Sequence, residues 1–164
     1  MIRLFVMDVD GTLTDGGLYL DGQGTEWKRF DVRDGLGLAK LRAAGVTLCI
    51  ISGRNSAVTQ RRAEELGVHL VHQGVGDKLA ILQRVAEEAG VPRLDVAYIG
   101  DDDNDAACLR WAGAGFAPRD AQPAARQAAD VVTDAPGGRG AVREAIERIL
   151  QEFRAEEGSW DGRV

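Results

Sequence analysis

The sequence predicts an α/β fold in which a parallel sheet carries helices on both faces. Three observations point there. Short apolar runs alternate with stretches of helical periodicity, the strand–helix–strand repetition that builds parallel sheets. Several of these runs are apolar at nearly every position, as strands covered on both faces require. With 164 residues, 45% of them hydrophobic and 28% charged, the chain has the size and composition of one domain with a real core, residues 1–164.

The elements follow in order. Strands are expected at 4–7, 46–51, 68–72, 96–99, 114–117 and 131–132, and helices at 35–44, 56–66, 78–89, 105–112, 123–129 and 140–157. Gly45, Gly67 and Gly90 each follow a helical stretch, where a left-handed residue ends the helix. The tail 158–164, with Trp160, is expected to fray. Residues 17–30 break the alternation. Two β-prone runs flank Asp21-Gly22-Gln23-Gly24, which reads as a hairpin inserted after the first strand. A hairpin alone is marginal in water, so Leu18, Leu20 and Trp27 need a surface, and another protomer is the better choice.

Composition narrows the function. Lys and Arg total 20 against 26 Asp and Glu, and a net charge of -6 disfavours nucleic acid as a partner. Aromatic residues, at 5%, are too few for a base-stacking platform. No apolar run approaches the ~20 residues of a membrane span, and an Asp already at position 8 leaves no room for a signal sequence. Cys49 and Cys108 lie far apart in apolar contexts and read as buried free thiols of a cytoplasmic protein. His69 and His72 alternate with apolar residues and read as core or rim positions.

In an open parallel sheet, ligands bind beyond the carboxyl ends of the strands. The polar clusters of this chain fall there. Asp8 and Asp10 follow the first strand, Ser52 the second, Lys78 the third, and Asp101, Asp102, Asp103 and Asp105 the fourth. So many neighbouring carboxylates repel one another unless a cation compensates, and a hard divalent ion with oxygen ligands suits them. An EF-hand is excluded, because Ala106 and Ala112 stand where glycine and glutamate are needed. The site must therefore be composite.

Asp8-Val9-Asp10-Gly11-Thr12, Ser52-Gly53-Arg54, Lys78 and Gly100-Asp101-Asp102-Asp103-Asn104-Asp105 resemble, in order, the four motifs of haloacid dehalogenase superfamily phosphatases. Asp31-Val32-Arg33-Asp34-Gly35, Arg62, Gln73-Gly74 and Gly137-Gly138-Arg139-Gly140 are similar to the branch acting on 3-deoxy-D-manno-octulosonate 8-phosphate (KDO 8-phosphate), in lipopolysaccharide biosynthesis. The resemblance implies a Rossmann-like sheet without a cap domain and a homotetramer built through the hairpins. It also implies a Mg²⁺-dependent reaction through an aspartyl-phosphate on a phosphorylated keto-sugar acid. Asp8 would be the nucleophile and Asp10 the general acid and base. Ser52 and Lys78 would hold the phosphoryl group. Mg²⁺ would take the side chains of Asp8 and Asp101 and the backbone carbonyl of Asp10, with Asp102 and Asp105 orienting the set. Asp10, residues Asp31, Val32, Arg33, Asp34 and Gly35, Arg54, Arg62 and Lys78 would meet the substrate.

The chain departs from that branch at Ala39, where an arginine is usual, and Lys40 beside it points about 100° away on a helix. A nine-carbon nonulosonate 9-phosphate or a broader range of sugar phosphates is the alternative substrate. A receiver-type signalling domain would lack Asp10-Gly11-Thr12 and the acidic cluster after the fourth strand. An idle oligomerisation module would have lost Asp8, Asp10 or Lys78, and all three are present. Arg139 and its glycines read equally as a closing segment or as the start of a helix.

Overall fold

A computed structural model describes residues 1–158, with side chains to residue 155. Six parallel strands form one sheet: β1 (Leu4–Met7), β4 (Thr47–Ile51), β5 (Leu70–His72), β6 (Val96–Ile99), β7 (Ala114–Ala117) and β8 (Val131–Val132), in spatial order β5-β4-β1-β6-β7-β8. The remaining pair, β2 (Tyr19–Leu20) and β3 (Glu26–Trp27), is the antiparallel hairpin expected at 17–30. The chain runs outward from β1 to β5, then returns to lay β6 on the other side. This is the doubly wound strand order, with its reversal between β1 and β6.

Six helices cover the sheet: α1 (Val32–Ala43), α2 (Ala57–Leu66), α3 (Lys78–Glu88), α4 (Ala106–Trp111), α5 (Pro123–Ala128) and α6 (Ala141–Gly158). Successive strand residues point to opposite faces, and the core divides accordingly. Phe5, Met7, Leu48, Ile50, Ala97 and Ile99 meet Leu38 and Leu41 of α1, Ala63 of α2 and Ile146 and Ile149 of α6. Leu4, Val6, Cys49, Ile51, Val96 and Tyr98 meet Leu82 and Val85 of α3, Leu109 of α4 and Ala125 of α5. The apolar runs are thus buried on both sides. Both cysteines are free and buried, and among the described residues no helix is long and apolar enough to cross a membrane.

Several boundaries differ from the sequence reading, most of them through hydrogen bonds at helix ends. β4 and β5 begin after Val46 and Val68, because those amides close the preceding helices. Val46 and Val68 donate to Leu41 and Ala63, while Gly45 and Gly67 donate to Arg42 and Glu64. Val91 and Gly90 end α3 in the same way, with Gly45, Gly67 and Gly90 at φ 87°, 67° and 62°. α1 begins at Val32 rather than at residue 35, because extended Asp31 accepts the Arg33 amide and caps the helix ahead of the glycine. The acidic run after β6 first forms a 3-10 turn, Asp103–Asp105, closed by a capping box between Asp102 and Asp105. At the other end, α6 continues through Gly158, so the tail expected to fray from residue 158 is helical there. Trp160 and the rest of 159–164 lie outside the described residues.

Candidate active site

The reversal between β1 and β6 leaves a crevice at the carboxyl edge of the sheet. It holds a cavity of about 210 Å³ lined by Asp8, Asp10, Ser52, Gly53, Arg54, Lys78, Asp101, Asp102 and Asn104. Residues from four separate loops therefore converge here. The Asp8 amide continues the β1–β6 ladder by donating to Ile99 (3.0 Å), which fixes where the chain leaves the sheet. Thr12 and Thr14 both donate their amides back to Val9 (3.1 Å each), folding residues 9–14 into a tight loop with Gly11 at φ 87°. A side chain at Gly11 would overlap the Asp101 carboxylate, so the loop approaches β6 this closely only with glycine there.

Lys78 is the centre of the charge network. Asp77 caps α3 by accepting the Ala80 amide, which places Lys78 at the first turn and aims it inward. Its Nζ, almost wholly buried, lies 2.7 Å from Asp8 Oδ1 and 2.8 Å from Asp105 Oδ1. Burial works against the ammonium, but the two carboxylates outweigh it and hold Lys78 charged well above the ordinary lysine range. Asp105 also accepts the Tyr98 hydroxyl (2.6 Å) and the amides of Asp101 and Asp102. Both of its oxygens are spent, so it orients its neighbours.

One cation faces more carboxylates than it can neutralise. A carboxylate oxygen from each of Asp8, Asp101 and Asp105 lies within 4.8 Å of the others, and the Thr12 hydroxyl reaches both Asp101 (3.3 Å) and Asp8 (3.5 Å). Burial and then the Asp8 charge push Asp101 up to about 9, while burial and the Asp105 charge push Asp8 up to about 6. Two carboxylates, Asp8 buried and Asp101 half-buried, that are short of positive charge fit a divalent, oxygen-liganded ion such as Mg²⁺. Asp8 and Asp101 are the side chains left to hold it.

A second layer comes from the hairpin. Lys28 Nζ lies 2.8 Å from Asp10 Oδ1, and Arg54 Nε is 3.9 Å from Oδ2. Glu26 joins the two cations, at 3.5 Å from Lys28 and 2.8 Å from Arg54, and accepts the Ser56 hydroxyl (2.8 Å). Sequence reasoning missed Glu26, Lys28 and Tyr98, and gave Thr12 no role beyond its place in the motif. The hairpin pair carried a signal: Glu26 and Lys28 flank Trp27 at strand period, so they share the face opposite the tryptophan.

The remaining expected substrate residues do not line this cavity within one chain. Asp31 is bound by the Arg33 guanidinium, which holds its carboxyl down at about 2. Val32 and Arg33 face solvent, and buried Asp34 accepts the Arg143 amide at the start of α6. Gly35 gives room to Arg62, whose guanidinium lies over the Phe30 ring at 5.6 Å. Ala39 is exposed, and Lys40 is taken by Glu147 of α6 (2.8 Å). Gln73 accepts the Ser56 amide (2.8 Å) and so supports α2. The 137–140 segment is packed against the loop that follows β1: Gly138 donates to Thr12 and accepts from Arg29, and Arg139 lies 3.9 Å from Asp15.

Comparison with known proteins agrees with this geometry. The signature of the haloacid dehalogenase-like hydrolases matches residues 68–146. The 3-deoxy-D-manno-octulosonate 8-phosphate phosphatase of Haemophilus influenzae is 40% identical over 150 residues, 92% of this chain and 83% of that one. The crystal structure of the phosphatase of that name from Moraxella catarrhalis, in complex with magnesium, phosphate and a KDO molecule, superposes with a TM-score of 0.90 at 43% identity. It covers 98% of this chain and 94% of that one. The corresponding Yersinia pestis structure gives 0.91 at 39% identity over 96% and 85%. The chain belongs to the haloacid dehalogenase-like hydrolases, in the family of the 3-deoxy-D-manno-octulosonate 8-phosphate phosphatases.

Proposed function

We propose that this chain is a Mg²⁺-dependent phosphomonoesterase that hydrolyses 3-deoxy-D-manno-octulosonate 8-phosphate. The observation that carries the reading is a buried carboxylate, Asp8, held 2.7 Å from Lys78 in a cavity of about 210 Å³ that Asp101 also lines. Mg²⁺ would be held by the side chains of Asp8 and Asp101 and the backbone carbonyl of Asp10, and when bound it neutralises phosphoryl charge. Asp8 attacks phosphorus in line. The bond from phosphorus to the sugar oxygen breaks, and Asp10 gives that oxygen its proton. Asp10, now a carboxylate, takes a proton from water, which attacks phosphorus, releases phosphate and restores Asp8. Ser52 donates to a phosphoryl oxygen, and Lys78 supplies a point charge beside Asp8.

The cavity of about 210 Å³ takes the phosphoryl group, and the sugar acid extends from it toward half-exposed Arg54. In this reading Arg54 meets it first, and the 31–35 segment, through exposed Val32 and Arg33, meets it where a second copy closes the site. The whole of 1–164 then acts as one hydrolase domain in a homotetramer. Tyr19 and Trp27 are cross-strand partners exposed at 58% and 53%, and Leu20, which pairs with Glu26, is exposed at 66%, apolar side chains that association would cover. Light scattering is expected to give about four times the 17.6 kDa chain mass, and an active monomer would refute the assembly. The buried free thiols and the net charge of -6 support a reducing cytoplasm and a small-molecule substrate.

Specificity is tested by kcat/KM on the eight-carbon acid 8-phosphate, a nine-carbon acid 9-phosphate and simple sugar phosphates. Lys40 points to Glu147 of α6 and is a poor substitute for a charge missing at Ala39. One charged hydrogen bond is worth roughly 1.5–3 kcal/mol, or about 10–150-fold. The eight-carbon acid is expected to lead, by a margin narrowed within that range over the nine-carbon acid. Equal rates on unrelated sugar phosphates would overturn the assignment.

A further inference from the structure

We propose that Lys28, carried into the site by the hairpin, is a positioning residue that holds the Asp10 carboxyl group in line with the leaving oxygen. The inference rests on the reading of Asp10 as proton donor. The hairpin has two faces with different work. Trp27 points to solvent, while its neighbours Glu26 and Lys28 point inward at strand period. The Lys28 side chain is completely buried, and its ammonium has three oxygen neighbours: Asp10 Oδ1 at 2.8 Å, Thr59 Oγ1 at 3.4 Å and Glu26 Oε1 at 3.5 Å.

Two cations compete for Asp10, and their settings decide the outcome. Arg54 is about half exposed and lies 3.9 Å from Oδ2, with its closer contact given to Glu26 at 2.8 Å. Lys28 is fully withdrawn from water and 1.1 Å nearer to its oxygen (3.9 against 2.8 Å). Charge pairs out of solvent are screened less, so the Lys28 attraction sets the rotamer. Asp10 Oδ1 is buried against the ammonium and accepts no aligned hydrogen bond, which leaves Oδ2 as the oxygen that reaches a ligand. Without Lys28, Arg54 is the remaining cation, and the carboxylate turns toward the cavity rim. A proton donor displaced by about 1 Å can cost ~10²-fold in the step it serves.

The test separates positioning from general damage by the leaving group. A sugar alkoxide needs a proton to depart, whereas p-nitrophenolate leaves without one. Single-turnover release of each leaving group, with enzyme and Mg²⁺ in excess, reads only the first transfer. Lys28→Met is expected to slow release from the sugar phosphate by ~30–100-fold, and release from p-nitrophenyl phosphate by less than about 3-fold. KM is expected to stay within about 2-fold, because no ground-state contact to substrate is removed. Lys28→Arg, which keeps the charge, is expected to recover most of the loss. Thr59→Val loosens the ammonium without burying or freeing a charge and decides the matter if Lys28→Met does not fold: the same selective loss is expected, about 3-fold. Equal losses on both substrates, or an unchanged sugar-phosphate rate, would overturn the positioning role. The wild-type rate on the sugar phosphate tests the underlying reading by itself, so the two can fail separately.

Discussion

Asp8→Asn is expected to abolish Mg²⁺-dependent phosphate release while the chain stays folded. The amide keeps the shape and can still pack beside Lys78, but it has no anionic oxygen to attack phosphorus. Loss of a covalent nucleophile leaves only binding and electrostatic assistance, so turnover is expected to fall by ~10⁴-fold or more. Stability is expected to hold or rise. Burial and the neighbouring Asp105 carboxylate both work against a charge on Asp8 and push its pKa up, and the neutral amide relieves that strain. Phosphate release and thermal unfolding on one preparation check both halves. Turnover near the wild-type rate would remove Asp8 from the mechanism.

Lys78→Met has the second large effect, and it strikes folding and chemistry together. The ammonium is the shared counter-ion of Asp8 (2.7 Å) and Asp105 (2.8 Å), both buried. Removing one member of a buried ion set leaves uncompensated charge and typically costs ~3–5 kcal/mol, where an exposed pair would cost under about 1 kcal/mol. The activity loss is expected at ~10²–10³-fold, the usual effect of deleting one electrostatic donor at a transferring group. Urea unfolding and kcat measure the two. The double variant Lys78→Met/Asp105→Asn is expected to regain part of the stability and none of the activity, since Asp105 touches Lys78 but acts on no substrate. A single variant within about 1 kcal/mol of wild type would mean that the site is wetter than its burial indicates.

The fold was legible because burial writes itself into the strands. Leu4–Met7, Val96–Ile99, Ala114–Ala117 and Val131–Val132 match the sequence reading at both ends. Boundaries slipped where the backbone found partners outside the ladder. Val46 and Val68 look like strand residues by hydropathy, yet their amides close helices. Asp31 starts α1 three residues ahead of the expected start at 35, because its side chain caps the helix there.

The heart of the site was legible for a topological reason. In a doubly wound sheet, the loops leaving the carboxyl ends of neighbouring strands lie side by side, so Asp8, Ser52, Lys78 and Asp101 had to converge. The contribution of the hairpin was not. Lys28 reaches Asp10 only because a loop of undefined direction folds back over the carboxyl edge, and no local pattern specifies that direction. Likewise, Arg62 carries the same charge whether it points at a substrate or lies over Phe30, and its surroundings in the folded chain favour the ring.

The central claim is that phosphate passes from substrate to water through Asp8, with Asp10 needed to complete the passage. Rapid acid quench of Asp10→Asn mixed with Mg²⁺ and p-nitrophenyl phosphate tests it most directly. That phosphate ester needs no proton to transfer, and the subsequent hydrolysis lacks its base, so a covalent phosphoryl group is expected to accumulate. Peptide mass spectrometry should place it on Asp8, and adding Asp8→Asn should remove it. Release of p-nitrophenol with no phosphoryl group on the chain, or with one on another residue, would contradict the account.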